Sequence, residues 1–324
     1  MVCCGDTISW EREQTLGPVI QGSRLRPVMF DIYSNDFNKL CQNDENLLYA
    51  DDTCIFYVGD DLQELCNHVN SRLSSIYEWC NVNKLAVNPK KSEFMVLTNK
   101  IVNSPPTIKI GNEPILLTNK FKYLGVYIDR TLKFNSHFEY LTQKLSHLRG
   151  ISFKLKYKLN EKTAENFYFA CIYGLITYCV AVFGGMSLCT NQYQVIEKVQ
   201  KNILINLFSR FYHGSICLFK TLKILKFREA YKLRAATYMY RIVKRNEFPF
   251  LQEKLNLSTP SHTHHTRSID NEVFSMPFPR VEAIRMNFSY QFVKIWNEIP
   301  FDIKNSISLG VFKKTLIDHY LEDY

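Results

Sequence analysis

The stretch Leu47-Leu48-Tyr49-Ala50-Asp51-Asp52-Thr53-Cys54-Ile55-Phe56 sets two adjacent carboxylates between two apolar runs. Each run has the length and partly β-branched composition of a short strand, so a tight polar turn between them predicts a β-hairpin with the acidic pair at its tip. Successive strand residues face opposite ways, and two neighbouring carboxylates converge on one point only where a turn reorients them. A hairpin tip meets that condition.

Carboxylate oxygens at such a tip suit Mg²⁺, which keeps several waters and takes phosphate oxygens beside one or two carboxylates. A pair of such ions can stabilise the attacking and leaving oxygens of phosphoryl transfer, but that chemistry needs a further acidic ligand from elsewhere in a fold. An Asp-Asp pair alone is more often a solvated loop. The flanking sequence therefore has to decide.

Upstream, Pro27 followed by Val28-Met29-Phe30 suggests a loop entering a helix. Downstream, Asp60 is placed to cap a helix in which Leu62, Leu65, Val69, Leu73 and Ile76 form one apolar face, ending near Trp79. Asn88-Pro89-Lys90-Lys91 predicts a turn, residues 92–97 a strand, 108–115 a small hairpin, and 121–129 a further strand or hairpin. From Ser136 the pattern becomes helical: Phe138, Leu141, Leu145 and Leu148 share one face, and residues 193–208 and 230–243 repeat the spacing. The polar stretch 258–268 reads as a loop, and no internal repeat is visible.

The chain has 324 residues and 46% hydrophobic content, ample for a packed core. Forty Lys and Arg against 31 Asp and Glu give a net charge of +9, compatible with a polyanionic partner. Ten cysteines without a C-x-x-C pair argue against a zinc knuckle and for free thiols in a reducing compartment. An intracellular, non-secreted location follows, nucleus or cytoplasm left open. The uncharged run 167–186 has about the length of a membrane span, but its tyrosines and Gly184-Gly185 favour a buried helix over insertion in lipid.

Tyr49-Ala50-Asp51-Asp52 between two strands resembles the Tyr/Phe-x-Asp-Asp box in the palm of non-LTR (LINE/jockey-like) retrotransposon reverse transcriptases, and other motifs of that family follow in order. Val19-Ile20-Gln21-Gly22-Ser23-Arg24-Leu25-Arg26-Pro27 is similar to the family's V-P-Q-G-S-x-L-x-P segment. Residues 83–92 with Trp79 resemble the next palm motif, and Tyr123-Leu124-Gly125 the primer grip. Trp296-Asn297-Glu298-Ile299-Pro300 and Phe312-Lys313-Lys314-Thr315-Leu316 resemble the W-N-x-L-P and F-K-x-x-L tail of such chains.

The resemblance implies an α+β fold. Residues 1–130 would form a partial reverse-transcriptase palm, an antiparallel sheet around the Tyr49-Ala50-Asp51-Asp52 hairpin. Residues 131–190 would form thumb-like helices and 191–324 a helical C-terminal extension. It implies Asp51 and Asp52 as catalytic Mg²⁺ ligands, Lys91 beside the leaving pyrophosphate, and Gln21, Gly22, Ser23 and Tyr49 along template and nucleotide. Tyr123, Leu124 and Gly125 would place the primer end. The implied partners are an RNA template, a DNA primer and deoxynucleotides, with no membrane and no obligate protein partner.

Two departures shape the expectation. Ile20 stands at the family's usual proline, and Arg24 and Arg26 flank Leu25 where smaller or apolar residues are common. Residues 5–10 look like the short connection before the Gln-Gly-Ser segment, so fingers and the first catalytic aspartate are expected to be missing. Asp6 has none of the surroundings of that motif. The expected protein is an N-terminally truncated reverse-transcriptase domain, defective as a polymerase and weak in Mg²⁺ binding. The alternative is a non-catalytic nucleic-acid binder using its helical half, where Lys154-Leu155-Lys156-Tyr157-Lys158 interleaves cations with an aromatic ring. His262, His264 and His265 read as loop residues rather than metal ligands.

Overall fold

Pro27 lies in the first turn of helix α1 (Arg26–Tyr33), where its missing N–H costs nothing and its fixed φ favours helix. This is a computed structural model, and it describes residues 3–4, 7–8, 25–40, 45–50, 52–98, 106–190, 192–212, 217–255, 273–276, 285, 287–322 and 324. The chain divides into two compact units, Met1–Thr118 and Asn119–Tyr324. Gln21, Gly22, Ser23, Asp51 and the stretch 258–268 lie outside the described residues.

In the first unit, β1 (Cys3–Cys4) and β2 (Thr7–Ile8) pair antiparallel, and α1 is followed by the single turn α2 (Phe37–Leu40). Strands β3 (Glu45–Tyr49) and β4 (Asp52–Phe56) form the hairpin expected from the acidic stretch. Helix α3 (Leu62–Val82) is capped by Asp61 rather than Asp60. The Asp61 carboxylate accepts from Glu64 N–H at 2.8 Å. The apolar face of α3 is half-buried, with Cys66 and Cys80 enclosed. Trp79 meets Phe37 edge-on at 5.2 Å between ring centres, and Arg72 donates to the Leu40 carbonyl at 2.6 Å. The α2 segment is thereby fixed to α3.

The stretch 92–97 contributes only two paired residues. Strand β5 (Glu93–Phe94) lies parallel to β8 (Leu116–Leu117), while β6 (Lys109–Ile110) and β7 (Glu113–Pro114) make the small hairpin. Gly111 turns that hairpin at φ +60, and a Cβ there would stand 2.9 Å from the Tyr77 ring, so glycine is required. Asn70 of α3 fixes the hairpin in place, accepting from Lys109 N–H at 2.9 Å and donating to the Thr107 carbonyl at 3.1 Å. Instead of one palm sheet around the acidic hairpin, the described strands form separate two-stranded pairs. All but the parallel β5–β8 pair join neighbouring strands, and none supplies a third strand to β3–β4.

The second unit begins with β9 (Lys120–Tyr123) and β10 (Val126–Asp129), then turns helical. Helix α4 (Asn135–Leu155) buries Phe138, Leu141 and Leu145, the face read from the sequence. Helix α5 (Glu161–Phe167), a π-helical stretch Tyr168–Tyr173, α6 (Gly174–Thr177) and α7 (Val180–Thr190) carry the apolar run. That run is bent by 66° at Tyr178 and Cys179, with Cys179 at φ +50, and Tyr168, Ile172, Ile176 and Phe183 point into the core. Among the described residues no single helix is long and apolar enough to cross a membrane, although the bent pair qualifies by length and composition.

Helix α8 (Gln192–Phe208) packs on α4, and its buried Gln200 donates to Tyr168 Oη at 2.8 Å and to the Leu225 carbonyl at 2.9 Å. After α9 (Leu218–Thr221) comes α10 (Phe227–Arg245), which approaches α7 closely because Gly184 presents no side chain. A Cβ on Gly184 would lie 2.4 Å from the Tyr231 ring. Glu197 of α8 accepts from Arg228 N–H at 3.1 Å, which places a carboxylate at the positive end of α10. Burial pushes the Glu197 carboxyl above its usual range.

Helices α11 (Pro249–Leu255), α12 (Phe288–Glu298), α13 (Phe301–Lys304) and α14 (Leu309–Glu322) complete the unit. The tail motif has a structural use here. Trp296 is fully buried near Phe312, and Asn297 exchanges two hydrogen bonds with the Phe274 backbone at 3.0 and 2.9 Å. Pro300 leads into α13. Tyr324 ties the far end of the unit to the start of α10. Its hydroxyl accepts from Lys226 N–H at 2.8 Å and donates to Glu229 at 3.0 Å, and its ring lies 3.9 Å beneath the Lys226 ammonium.

Candidate functional site

The candidate residues fall in two places, each built by its own unit. In the first, Tyr49 and Asp52 face each other across the β3–β4 ladder, and Ala50 follows Tyr49 into the turn. Two-residue hairpin loops need positive φ at the turn. Ala50 adopts φ +51, at a cost of about 1 kcal/mol for a residue with a Cβ. Asp52 therefore sits at the first position of β4, exposed, on the same strand face as Cys54 and Phe56. Burial raises the Cys54 thiol above its usual range and keeps it protonated.

Tyr49 is 63% exposed, an aromatic at the tip with no core to fill. Lys91 ends the 3-10 turn Pro89–Lys91, and its side chain is exposed. Asn88 caps that turn by accepting from Lys90 N–H at 3.1 Å. Among the described residues neither the Asp52 nor the Lys91 side chain has a hydrogen-bond or ion-pair partner. Nor does any group of three or more His, Cys, Asp or Glu come together there to hold a metal ion. One exposed carboxylate does not fit a divalent ion by itself.

In the second unit, β9 and β10 are joined by Leu124 at φ +44 and Gly125 at φ +84, the paired positive φ of a tight hairpin turn. Tyr178, at the bend between α6 and α7, donates its hydroxyl to the Leu124 carbonyl at 2.7 Å. A Cβ on Gly125 would stand 3.1 Å from the Tyr178 ring, so glycine permits this approach. The Tyr123-Leu124-Gly125 turn is thus anchored to a helix break.

Beside it lies a cleft of about 310 Å³ lined by Lys122, Gly125, His137, Tyr140, Leu141, Gly174, Leu175 and Tyr178. The Lys122 ammonium stands 5.6 Å from the ring centre of Tyr127 and 5.6 Å from that of Tyr140. Both distances are within the reach of a cation–π attraction. His137 Nδ1 accepts from Tyr127 N–H at 3.4 Å. Burial lowers the His137 pKa to about 4, so the ring is neutral at pH 7. Sequence reasoning did not single out His137, Tyr140 or Tyr178. They meet the turn only through tertiary packing, and no local pattern marks them.

Residues 10–128, which contain the acidic hairpin and the glycine turn, match the reverse transcriptase (RNA-dependent DNA polymerase) family. The chain resembles relatives named as RNA-directed DNA polymerases of transposons and mobile elements. It is 29% identical over 188 residues to "Probable RNA-directed DNA polymerase from transposon X-element" of Drosophila melanogaster, covering 52% of this chain and 20% of that protein. It is 26% identical over 195 residues to the corresponding protein "from transposon BS" of the same organism, covering 55% and 21%. With "RNA-directed DNA polymerase from mobile element jockey" of Drosophila funebris it shares 28% over 126 residues, 37% and 14% of the two chains. The matched region spans about a fifth of the length of the first two relatives. No solved structure matches.

Proposed function

We propose that the chain supplies the palm hairpin, the primer-positioning turn and the thumb helices of an RNA-directed DNA polymerase. In this reading β3–β4 presents Asp51 and Asp52, Gln21, Gly22, Ser23 and Tyr49 border template and nucleotide, and Lys91 stands near the departing pyrophosphate. Tyr123-Leu124-Gly125 sets the primer end. The observation that supports the reading is the hairpin register: Tyr49 pairs with Asp52 across the ladder, Ala50 turns the chain at φ +51, and Asp52 stands exposed at the turn end of β4.

Reverse transcriptases use divalent metal ions, and a polymerase site draws its carboxylates from more than one strand. Within these 324 residues only Asp51 and Asp52 follow the family's acidic pattern. Mg²⁺ binding by this chain is accordingly proposed to be weak, and primer extension by the chain alone absent. Binding of an RNA–DNA primer-template should persist.

Two measurements test this. Mn²⁺ titrated into the full chain and followed by electron paramagnetic resonance should show weak binding that Asp52→Asn removes; binding indifferent to that substitution overturns the role of the hairpin. Primer extension on an RNA template with Mg²⁺ should give no product. Synthesis lost on Asp52→Asn would overturn the claim of weakness and keep the site.

A further inference from the structure

From Tyr140 to Asn160 the sequence contains Lys144, Arg149, Lys154, Lys156 and Lys158 and no acidic residue. This segment is most of α4 and the turn after it. Among the described residues none of the five cations is in an ion pair. Cations near a helix C-terminus complement its dipole, which accounts for Lys154. It does not account for Phe153 and Tyr157, which stand 68% and 74% exposed among those charges, with the Lys156 ammonium 5.3 Å from the Tyr157 ring centre.

Gly150 adds an independent observation. A glycine inside the 21-residue helix α4 weakens it, and such a residue usually answers a packing need. Here a Cβ would meet nothing within 4 Å. The residue lies one turn before Phe153 and Lys154, on the exposed side, and leaves the helix backbone bare where a ligand could approach it closely.

We propose that this end of α4 is a binding platform for single-stranded RNA, with bases stacked on Phe153 and Tyr157 and phosphates held by Arg149, Lys154 and Lys158. A duplex hides the faces of its bases, so exposed rings among cations suit an unpaired strand. The cations meet the phosphates by charge complementarity and counterion release. The proposal deepens the polymerase reading and rests on it for the choice of RNA over DNA.

The test uses the full chain in EDTA, so that metal binding at the hairpin plays no part. Fluorescence anisotropy measures binding of a labelled U12 RNA, a dT12 DNA and an RNA–DNA duplex of the same length at two salt concentrations. U12 is expected to bind more tightly than either competitor, with affinity falling as salt rises. The double change Phe153→Ala and Tyr157→Ala should weaken U12 binding at least about tenfold. Gly150→Leu should leave thermal stability unchanged or raised while lowering U12 affinity.

Binding of the duplex as tight as U12, or U12 binding that survives the loss of both rings, overturns the platform and leaves an ordinary basic surface. Tighter binding of dT12 overturns the assignment to RNA. Failure of either kind leaves the Mn²⁺ result at Asp52 untouched, so the two readings fall separately.

Discussion

In Asn119–Tyr324 the side chains of Leu145, Tyr168, Phe183 and Trp296 are fully enclosed, whereas in Met1–Thr118 Leu25, Ile32, Leu47 and Val58 are each more than half exposed. The second unit gathers forty buried apolar side chains into one cluster, while the described part of the first encloses Phe37, Cys66, Cys80 and Ile108. The described part of the unit with the acidic hairpin is therefore held mainly by caps, tight turns and side-chain bonds to backbone. The unit with the glycine turn is held by its core. Stability of the first kind is local and yields piecewise, and stability of the second kind is shared.

The largest test of that contrast sets Leu145→Ala against Leu47→Ala. Emptying the fully buried leucine site should cost about 2–5 kcal/mol in urea denaturation. Trimming the half-exposed leucine should cost about 0.5 kcal/mol or less. Equal costs would mean that the hairpin face is covered in solution.

The next effect is acid sensitivity in the second unit. His137 has a pKa of about 4 in the folded chain and 6.5 in the unfolded one, so between those values the unfolded state takes up a proton that the folded state refuses. Stability should be constant above about pH 6.5 and fall as the pH drops towards 4, by about 3 kcal/mol across the window. Urea midpoints at pH 5 and 7 should separate for the native sequence and converge for His137→Phe. A slope that survives the substitution would assign it to other groups.

Glycine substitutions probe packing directly. Gly184→Ala drives a methyl group into the Tyr231 ring and should cost about 1–3 kcal/mol. At Gly59 an added methyl would meet only the flexible Leu65 side chain, 3.2 Å away. Gly59→Ala should therefore change stability by about 0.5 kcal/mol at most. Thermal melts of the two variants compare the units, and a costly Gly59→Ala would show the first to be tighter than its exposure suggests. The smallest contrast should be no contrast: Asp61→Ala and Asn160→Ala each remove a helix N-cap and should each cost about 1 kcal/mol, because capping is local. A silent Asp61→Ala would mean that the start of α3 is frayed.

What the sequence disclosed follows the range of each interaction. The acidic hairpin, the half-buried face of α3 and the buried face of α4 were legible because they depend on neighbours two, three or four positions away. The cap of α3 fell one residue off because Asp60 and Asp61 carry the same carboxylate and only its reach to Glu64 N–H separates them. The parallel β5–β8 pair joins residues more than twenty positions apart and leaves no local periodicity. Composition marked 167–186 as apolar, yet the 66° bend depends on a left-handed Cys179 that composition does not encode. Around the candidate residues, the β3–β4 hairpin and the tight Leu124-Gly125 turn were readable as local patterns. His137, Tyr140 and Tyr178 reach that turn from distant helices, by packing that no motif records.

The bond between Tyr324 and the start of α10 also has a consequence in time. Lys226 and Glu229 leave the ribosome nearly a hundred residues before the tyrosine that completes their hydrogen bonds. At about 5–20 residues per second, that wait is about 5–20 s. Through that interval the Lys226 amide and the Glu229 carboxylate must be served by water or by a chaperone, and a nascent chain stalled anywhere between them would leave the ribosome-associated protein with this seam open.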